Sequence, residues 1–147
     1  MKSIFIFTIA FFFLTGCQSV ASRKTDSGVP NIATDVKDVS PNEAQVAVSK
    51  AYSQFIDVRT AEEYAGGHAA RSENIPLDTL AANLVRLSKS EPVYIICQTG
   101  NRSKKAAAIL KDAGFTNVVN VTGGTVAWQE AGLPIETRAP HNIPPPK

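Results

Sequence analysis

Hydrophobic and polar positions alternate along the middle of the chain in a pattern that predicts short strands separated by helices. Compact apolar runs predict strands, whereas apolar residues spaced three or four positions apart predict helices. The predicted strands are Val36–Val39, Gln54–Val58, Ser72–Ile75, Val93–Ile96 and Asn117–Val121. The predicted helices are Pro41 to about Ala51, a short one between Thr60 and Gly66, Leu77–Ser88, Ser103–Ala113 and Thr125–Ala131.

The helix-starting motifs and the order of the predicted elements indicate an α/β fold. Ser40 with Glu43, and Thr60 with Glu63, have the spacing of capping boxes that begin helices. The uninterrupted apolar run Val93–Ile96 is typical of a strand that is buried on both faces. Strands that alternate with helices pair in parallel, so we expect a three-layer domain with a central parallel sheet flanked by helices.

Length and charge narrow the possible functions. The chain has 147 residues, about one domain, and its 15 Lys and Arg nearly balance its 13 Asp and Glu. Nucleic-acid binders normally carry a strong basic excess, so we expect no nucleic-acid partner. The predicted domain covers residues 36–137, between a polar tether at 17–35 and a proline-rich tail at 138–147.

The first residues have the pattern of an export signal. Lys2 precedes the apolar run Ile4–Leu14, which is too short to span a membrane. The run ends in Leu14-Thr15-Gly16-Cys17, which resembles the bacterial lipoprotein box, so residues 1–16 are a predicted signal peptide and Cys17 a predicted lipidation site. Gln18 after the cysteine resembles the sorting pattern of outer-membrane lipoproteins facing the periplasm. The alternative is an ordinary signal peptide with an incidental cysteine.

Cys97, the second of the two cysteines, occupies the position where a parallel sheet binds ligands. It follows the predicted strand Val93–Ile96, and ligands lie beyond the carboxyl ends of such strands. The next residues allow a tight loop with inward-pointing amides: Gln98, Thr99, Gly100, Asn101 and Arg102. A loop of this kind before a helix binds anions and stabilises a thiolate, whose free pKa is about 8.5. We therefore predict that Cys97 is a nucleophile.

Three cations at the start of the following helix support an anion site. Arg102, Lys104 and Lys105 lie where the helix dipole favours acidic residues. A local preference broken three times suggests a compensating anion, either a substrate or the thiolate. The alternative is a solvated basic face beside a buried, inert cysteine.

Six motifs resemble those of single-domain rhodaneses in order and spacing. They are Asp57-Val58-Arg59, Glu63–His68, Asn74–Leu77, Cys97–Ser103, Gly123–Trp128 and Ala131–Pro134. The resemblance runs from about Val36 to Ile135 and implies the rhodanese fold. One departure is Ala69-Ala70-Arg71-Ser72, where the family often has Ile-Pro-Gly-Ala after the Gly-His pair. We expect Arg71 to line the mouth of the site and to favour anionic donors.

The resemblance implies sulfur transfer through a persulfide on Cys97. The thiolate would take the outer sulfur of an anionic donor such as thiosulfate, and cyanide or a thiol would then accept it. Residues 98–102 would bind the donor, with the Arg102 guanidinium suited to an oxyanion leaving group. No cofactor is implied, and His68 and His141 lack metal-ligand spacing.

The remaining motif residues have structural interpretations. We expect Asp57 and Arg59 to form an ion pair or loop clamp beside the site, and His68 to be a hydrogen-bonded turn residue. Only four residues separate Cys97 from Arg102. The phosphate-binding loop of tyrosine-phosphatase-type enzymes is one residue longer, which makes a phosphatase or arsenate reductase a distant alternative.

Two further readings of the same loop stay open. Some rhodanese domains lack the cysteine and serve as interaction modules, but this chain keeps Cys97 and a complete loop. A sulfur carrier would form the persulfide and pass it to a partner protein, with slow turnover of small acceptors. These readings differ in turnover and in persulfide formation, which are both measurable.

Overall fold

Five parallel strands form the central sheet. The computed structural model describes residues 36–50 and 52–137. In chain order the strands are β1 (Lys37–Val39), β2 (Gln54–Asp57), β3 (His68–Ala69), β4 (Glu73–Asn74), β5 (Val93–Ile96), β6 (Val118–Val121) and β7 (Ile135–Glu136). The sheet has the order β1-β6-β5-β2-β4, while β3 and β7 form a separate antiparallel pair. The predicted parallel pairing is confirmed.

Four α-helices and one 3-10 helix connect the strands. They are α1 (Pro41–Val48), α2 (Ala61–Ala65), the 3-10 helix Leu80–Arg86, α3 (Asn101–Asp112) and α4 (Gly124–Glu130). Both predicted capping boxes are present, since Ser40 and Thr60 each exchange hydrogen bonds with the glutamate three residues later. These boxes satisfy amide groups that a helix start leaves without partners.

The core has two parts, one on each face of the sheet. On one face, side chains of α3 and Leu80 of the 3-10 helix pack against β2 and β5. On the other face, Ala44 and Val48 of α1 and Trp128 of α4 pack against β2, β5 and β6. Val93, Ile95 and Ile96 are fully buried. The predicted three-layer architecture and the doubly buried strand are therefore confirmed.

The predicted helix at Leu77–Ser88 is wrong in type and length. The structure has the 3-10 helix Leu80–Arg86 there. The Asn83 side-chain amide donates to the Thr79 carbonyl at 2.8 Å, the acceptor that an α-helical N–H of residue 83 would use. With this carbonyl occupied, the first turn closes through the tighter bond from the Ala82 N–H to the Thr79 carbonyl at 3.1 Å.

Two other differences concern short elements and boundaries. The strands β3 and β7 were not predicted, because two-residue strands carry no readable alternation of apolar and polar residues. The helix α3 begins at Asn101, two residues before the predicted start. Asn101 and Arg102 consequently belong to the first turn of this helix and not to the loop that precedes it.

The predicted signal peptide, the tether, Cys17 and the proline-rich tail lie outside the described residues. Within residues 36–50 and 52–137, no helix has the length and apolar character needed to cross a membrane. The same residues contain no cluster of three His, Cys, Asp or Glu side chains arranged to hold a metal ion.

Candidate active site

Cys97 lies at the carboxyl end of β5, inside a loop whose amides face its sulfur. The Gly100 N–H donates to the Cys97 Sγ at 3.1 Å. Gly100 has a φ of 99°, which turns its amide inward and favours glycine. Only 1% of Cys97 is exposed, so almost none of its side chain contacts solvent.

The surroundings of Cys97 favour the thiolate. Burial raises the pKa of the Cys97 thiol, but hydrogen bonds from the Ser103 hydroxyl and from the amides of Ser103, Thr99 and Gly100 lower it more. The pKa of Cys97 consequently lies below its ordinary value. Inward-facing amides before a helix thus stabilise negative charge on the sulfur, as predicted from the position of the loop.

Ser103 was not among the predicted site residues. Its hydroxyl oxygen lies 3.5 Å from the Cys97 Sγ, 2.9 Å from the Gly100 carbonyl oxygen and 2.5 Å from the Asn120 Oδ1. Ser103 and Asn120 are both fully buried. The sequence placed Ser103 next to Arg102, but it held no signal that joined Ser103 to Asn120 of the strand β6.

The start of α4 fixes the backbone of the same loop. The Thr125 N–H donates to the Cys97 carbonyl at 2.8 Å, and the Val126 N–H donates to the Gln98 carbonyl at 3.2 Å. Gly124 has a φ of 60°, and a Cβ there would lie 2.2 Å from the Cys97 carbonyl oxygen. The motif Gly123–Trp128 therefore contributes to the site through its backbone, which the sequence did not reveal.

Asp57 and Arg59 form the expected ion pair and clamp. The Arg59 Nη2 lies 2.7 Å from the Asp57 Oδ2, with 5% and 0% of the two side chains exposed. Arg59 also donates to the Gln98 Oε1 at 3.3 Å and to the Gly67 carbonyl at 2.8 Å. The buried cation thus ties the active-site loop to the segment before β3.

The residues that follow Cys97 differ in what they offer a ligand. Gln98 directs its Oε1 toward Arg59 and Thr125, at 3.3 Å from each donor, and so supports the loop. Thr99 and Gly100 offer backbone amides to the sulfur. Asn101 is exposed at the first position of α3.

Arg102 is paired with a residue to which we had assigned only a capping role. The Glu63 carboxylate accepts two hydrogen bonds of 2.6 Å from the Arg102 guanidinium. Hydrogen bonding to Arg102 lowers the pKa of Glu63 from 4.5 to about 2. The Glu63 interaction raises the pKa of Arg102 in turn. Arg102 also borders a surface cavity of about 510 Å³ that Thr60, Pro76 and Leu77 help to line.

His68 has a structural role, as expected, although it lies in β3 and not in a turn. It is 1% exposed, and its Nδ1 lies 2.8 Å from the Tyr64 carbonyl oxygen. Its ring stacks on the Tyr64 ring with centroids 3.6 Å apart, and its Nε2 lies 3.9 Å from a Glu136 carboxylate oxygen. These contacts hold β3 against α2 and β7.

The prediction that Arg71 lines the mouth of the site is wrong. Arg71 donates to the Ser49 carbonyl at 3.4 Å and lines a cavity with Ser53 and Gln54, at the amino end of β2. The pairing of Ile56 with Glu73 places Arg71 at the level of this end. Cys97 follows the carboxyl end of the parallel neighbour β5, so Arg71 and Cys97 lie at opposite ends of the parallel strands.

Comparison with known proteins gives one family. The family model described as "Rhodanese-like domain" matches residues 40–131. The thiosulfate sulfurtransferase GlpE of Actinobacillus pleuropneumoniae is 31% identical over 100 residues, covering 68% of this chain and 93% of its own. The chloroplastic thiosulfate sulfurtransferase 16 of Arabidopsis thaliana is 37% identical over 93 residues, covering 55% and 78% of the two chains.

Solved structures agree with this match. A rhodanese-like domain protein from Staphylococcus aureus aligns with a TM-score of 0.61 and 37% identity, covering 69% of this chain and 99% of that one. A rhodanese-related protein from Thermoplasma volcanium aligns with a TM-score of 0.63 and 29% identity, with the same coverage.

Proposed function

The chain belongs to the rhodanese-like domain family, and from that premise we propose that it is a sulfurtransferase acting through a Cys97 persulfide. The donor is a small anion with a sulfane sulfur, such as thiosulfate, and the acceptor is cyanide or a thiol. Relatives named thiosulfate sulfurtransferase support this reaction class.

The observation that carries the proposal is the hydrogen bond of 3.1 Å from the Gly100 amide to the Cys97 sulfur. It lies in a loop that lowers the pKa of Cys97 with further amides of Thr99 and Ser103. A thiolate is the reactive form of cysteine in sulfur exchange, and preorganised amides stabilise negative charge without reorganising. A buried cysteine that is only a core residue needs no such ring of donors.

The transfer takes two displacements. The Cys97 thiolate attacks the outer sulfur of thiosulfate, a Cys97–sulfur bond forms, and the sulfur–sulfur bond of the donor breaks with its electron pair leaving on sulfite. Cyanide then attacks the terminal sulfur of the persulfide, forms thiocyanate and returns the electron pair to Cys97. Because the enzyme carries the group between the two steps, the kinetics are ping-pong.

The low exposure of Cys97 favours a small donor. With 1% of the residue exposed, a terminal sulfur on a small anion reaches the thiolate more readily than a bulky chain does. Arg102, at the edge of the loop, supplies positive charge for the departing oxyanion, moderated by its pairing with Glu63.

The test measures thiocyanate formation from thiosulfate and cyanide by the purified chain. Cys97→Ser should abolish turnover, whereas Cys17→Ser, the matched control, should retain it. Turnover that survives Cys97→Ser contradicts the proposal. If a folded wild type shows no turnover, it is incubated with thiosulfate and its mass is measured. A mass increase of about 32 Da on Cys97 that a thiol reductant removes identifies a persulfide carrier, since a sulfinic acid of the same nominal mass is irreversible. The absence of this increase refutes persulfide chemistry altogether.

We also propose that the chain is exported and anchored by a lipid on Cys17, with the domain facing the periplasm, at the outer membrane. The support is the sequence alone: Lys2, the apolar run to Leu14 and the box that ends at Cys17. In a Gram-negative host, membrane fractions should hold the wild type with an acylated Cys17, and Cys17→Ser should abolish acylation. Wild-type protein in the cytosolic fraction contradicts this proposal.

A further inference from the structure

A chain of hydrogen bonds runs from a surface carboxylate to the active-site sulfur. The Asn120 Nδ2 donates to the Asp38 Oδ1 at 2.7 Å. The Ser103 hydroxyl donates to the Asn120 Oδ1 at 2.5 Å, and the same hydroxyl lies 3.5 Å from the Cys97 Sγ. Asp38 is exposed on β1, whereas the other three residues are buried.

The sheet brings these residues together. Asp38 of β1 pairs in register with Asn120 of β6, and Asn120 pairs in register with Ile95 of the next strand, β5. Ser103 lies in the first turn of α3, which packs against β6 and β5. The contact between Asp38 and Asn120 spans 82 residues of sequence, and that between Asn120 and Ser103 spans 17.

The orientation of the Asn120 amide is determined by Asp38. A carboxylate only accepts hydrogen bonds, so the amide group of Asn120 must turn its NH₂ toward Asp38. Its carbonyl oxygen then faces Ser103. Asn120 is fully buried, so no solvent is available to satisfy the opposite orientation.

Ser103 has one hydroxyl proton for three acceptors. Its distances to them increase from the Asn120 Oδ1, at 2.5 Å, to the Gly100 carbonyl, at 2.9 Å, and the Cys97 sulfur, at 3.5 Å. When Cys97 is a thiol, the proton can remain on the Asn120 side while the sulfur donates to the serine oxygen. When Cys97 is a thiolate, the proton stabilises it only by leaving Asn120.

We propose that Asp38 and Asn120 are positioning residues that draw the Ser103 hydroxyl proton away from the Cys97 sulfur and thereby restrain the reactivity of the thiolate. The proposal concerns the regulation of the site described above and so rests on its proposed function. Asn120 competes with the thiolate for one proton, and Asp38 keeps Asn120 in the competing orientation. The carboxylate therefore acts on the nucleophile through two buried intermediaries.

Other charges near Cys97 must be held constant in any test. Arg102 of α3 interacts electrostatically with Cys97 and is paired with Glu63 of α2. Asp57 of β2 is neutralised by its pair with Arg59, whose guanidinium reaches the loop at Gln98. None of these contacts involves Asp38, so a substitution at Asp38 leaves them in place.

The test is a double-mutant cycle on thiol reactivity in the full chain carrying Cys17→Ser, where Cys97 is the single cysteine. Alkylation by iodoacetamide is followed from pH 5 to 10, a range chosen to span the free thiol pKa of about 8.5. Asp38→Asn lets the Asn120 amide turn over, so the rate below the thiol pKa should rise about 3- to 10-fold, within the range of the net contribution of one intramolecular hydrogen bond. Ser103→Ala should lower the rate, and Asp38→Asn should have no further effect in that background.

Three results would overturn the proposal: an unchanged rate in Asp38→Asn, a rate that falls, or an equal rise with and without the serine. The equal rise would mean that Asp38 acts only by its charge. Asp112→Asn, which removes an exposed carboxylate at the end of α3, is the matched control. Alkylation does not require turnover, so failure here is distinct from failure of sulfur transfer.

A second measurement covers the case in which Ser103→Ala does not fold. The rate of Asp38→Asn is then compared with that of Asn120→Ala, which removes the competing acceptor and leaves the Asp38 charge in place. A rise in both variants supports competition for the hydroxyl proton, whereas a rise in Asp38→Asn alone assigns the effect to charge and overturns the proposal.

Discussion

The Glu63 carboxylate binds the Arg102 guanidinium through two parallel hydrogen bonds of 2.6 Å each. The same carboxylate accepts the Thr60 N–H at 3.0 Å, so the capping box of α2 and the first turn of α3 share one acidic group. Planar bidentate pairing is a geometry that Arg forms with a carboxylate and Lys does not. The Arg102 guanidinium is therefore already paired with an anion of the protein itself.

Removing the ion pair between Glu63 and Arg102 should improve binding of an anionic donor. Glu63→Gln retains an oxygen for the Thr60 amide and frees the charge of Arg102. We expect the KM for thiosulfate to fall about two- to fivefold, the range of a partly exposed ion pair. Steady-state kinetics at low salt measure it, with Glu62→Gln, an exposed neighbour, as the control. A KM that rises would show that Glu63 is needed to position Arg102.

The Glu63–Arg102 pair also predicts a pH dependence of stability. The pKa of the Glu63 carboxyl group in the folded protein, about 2, lies below the ordinary value of 4.5. A depressed carboxyl pKa contributes stability that is present above the unfolded pKa and is lost as the pH falls toward the folded pKa. Urea unfolding of the wild type and Glu63→Gln should therefore differ by a constant free energy above about pH 5.5 and converge between there and pH 2. A difference that vanishes already at neutral pH contradicts the pairing.

Gly124 should be far less replaceable than Gly132, another glycine with a positive φ. Gly124 and Gly132 have φ values of 60° and 67°, so alanine is strained at both by about 1–2 kcal/mol. At Gly124 the new Cβ also meets the Cys97 carbonyl at 2.2 Å, whereas at Gly132 nothing lies within 4 Å. Gly124→Ala should lose on the order of 100-fold in kcat/KM, because small displacements of reacting groups are costly.

Gly132→Ala is the matched control and should keep its activity with a lower melting temperature. Equal activity losses in the two variants would mean that backbone strain, and not contact with the loop, explains the effect. Thermal unfolding and thiocyanate assays on the same samples separate the two contributions.

Removing only the cation of the buried Asp57–Arg59 pair should cost more stability than removing both charges. Arg59→Met leaves the fully buried Asp57 carboxylate without its cation, which costs about 3–5 kcal/mol of the free energy of unfolding. The double variant Asp57→Asn with Arg59→Met removes the uncompensated charge and should recover part of that loss. Urea titrations measure both, and a double variant less stable than Arg59→Met would contradict the charge argument.

Sequence patterns were informative where the relevant contacts are local. Both capping boxes act over three residues, and Cys97 follows directly on the apolar strand β5. The hydrogen bonds among Asp38, Asn120 and Ser103 depend on strand order, which the pattern of apolar residues does not specify. The partner of Arg102 is separated from it by 39 residues and was assigned only its local role.

The misplacement of Arg71 has the same origin. The sequence shows that the segment after His68 departs from the family pattern, but not whether it lies at the amino or the carboxyl ends of the parallel strands. The two-residue strand β4 determines this position through its register with β2. Such short pairing leaves no periodic signal, so the direction of a side chain near it becomes evident only in the folded structure.

Arg71 should therefore be replaceable without effect on donor binding. It has a φ of 70° and lies near the amino end of β2, whereas Cys97 lies at the carboxyl end of β5. Arg71→Gly removes the cation and relieves a left-handed conformation that costs about 1–2 kcal/mol, against about 0.5–1 kcal/mol for the added flexibility of glycine. We expect an unchanged KM for thiosulfate at low salt and an unchanged or slightly raised melting temperature. A higher KM would mean that Arg71 does contribute to binding of the donor. The turn at residues 69–72 would then have to lie near the carboxyl ends of the strands.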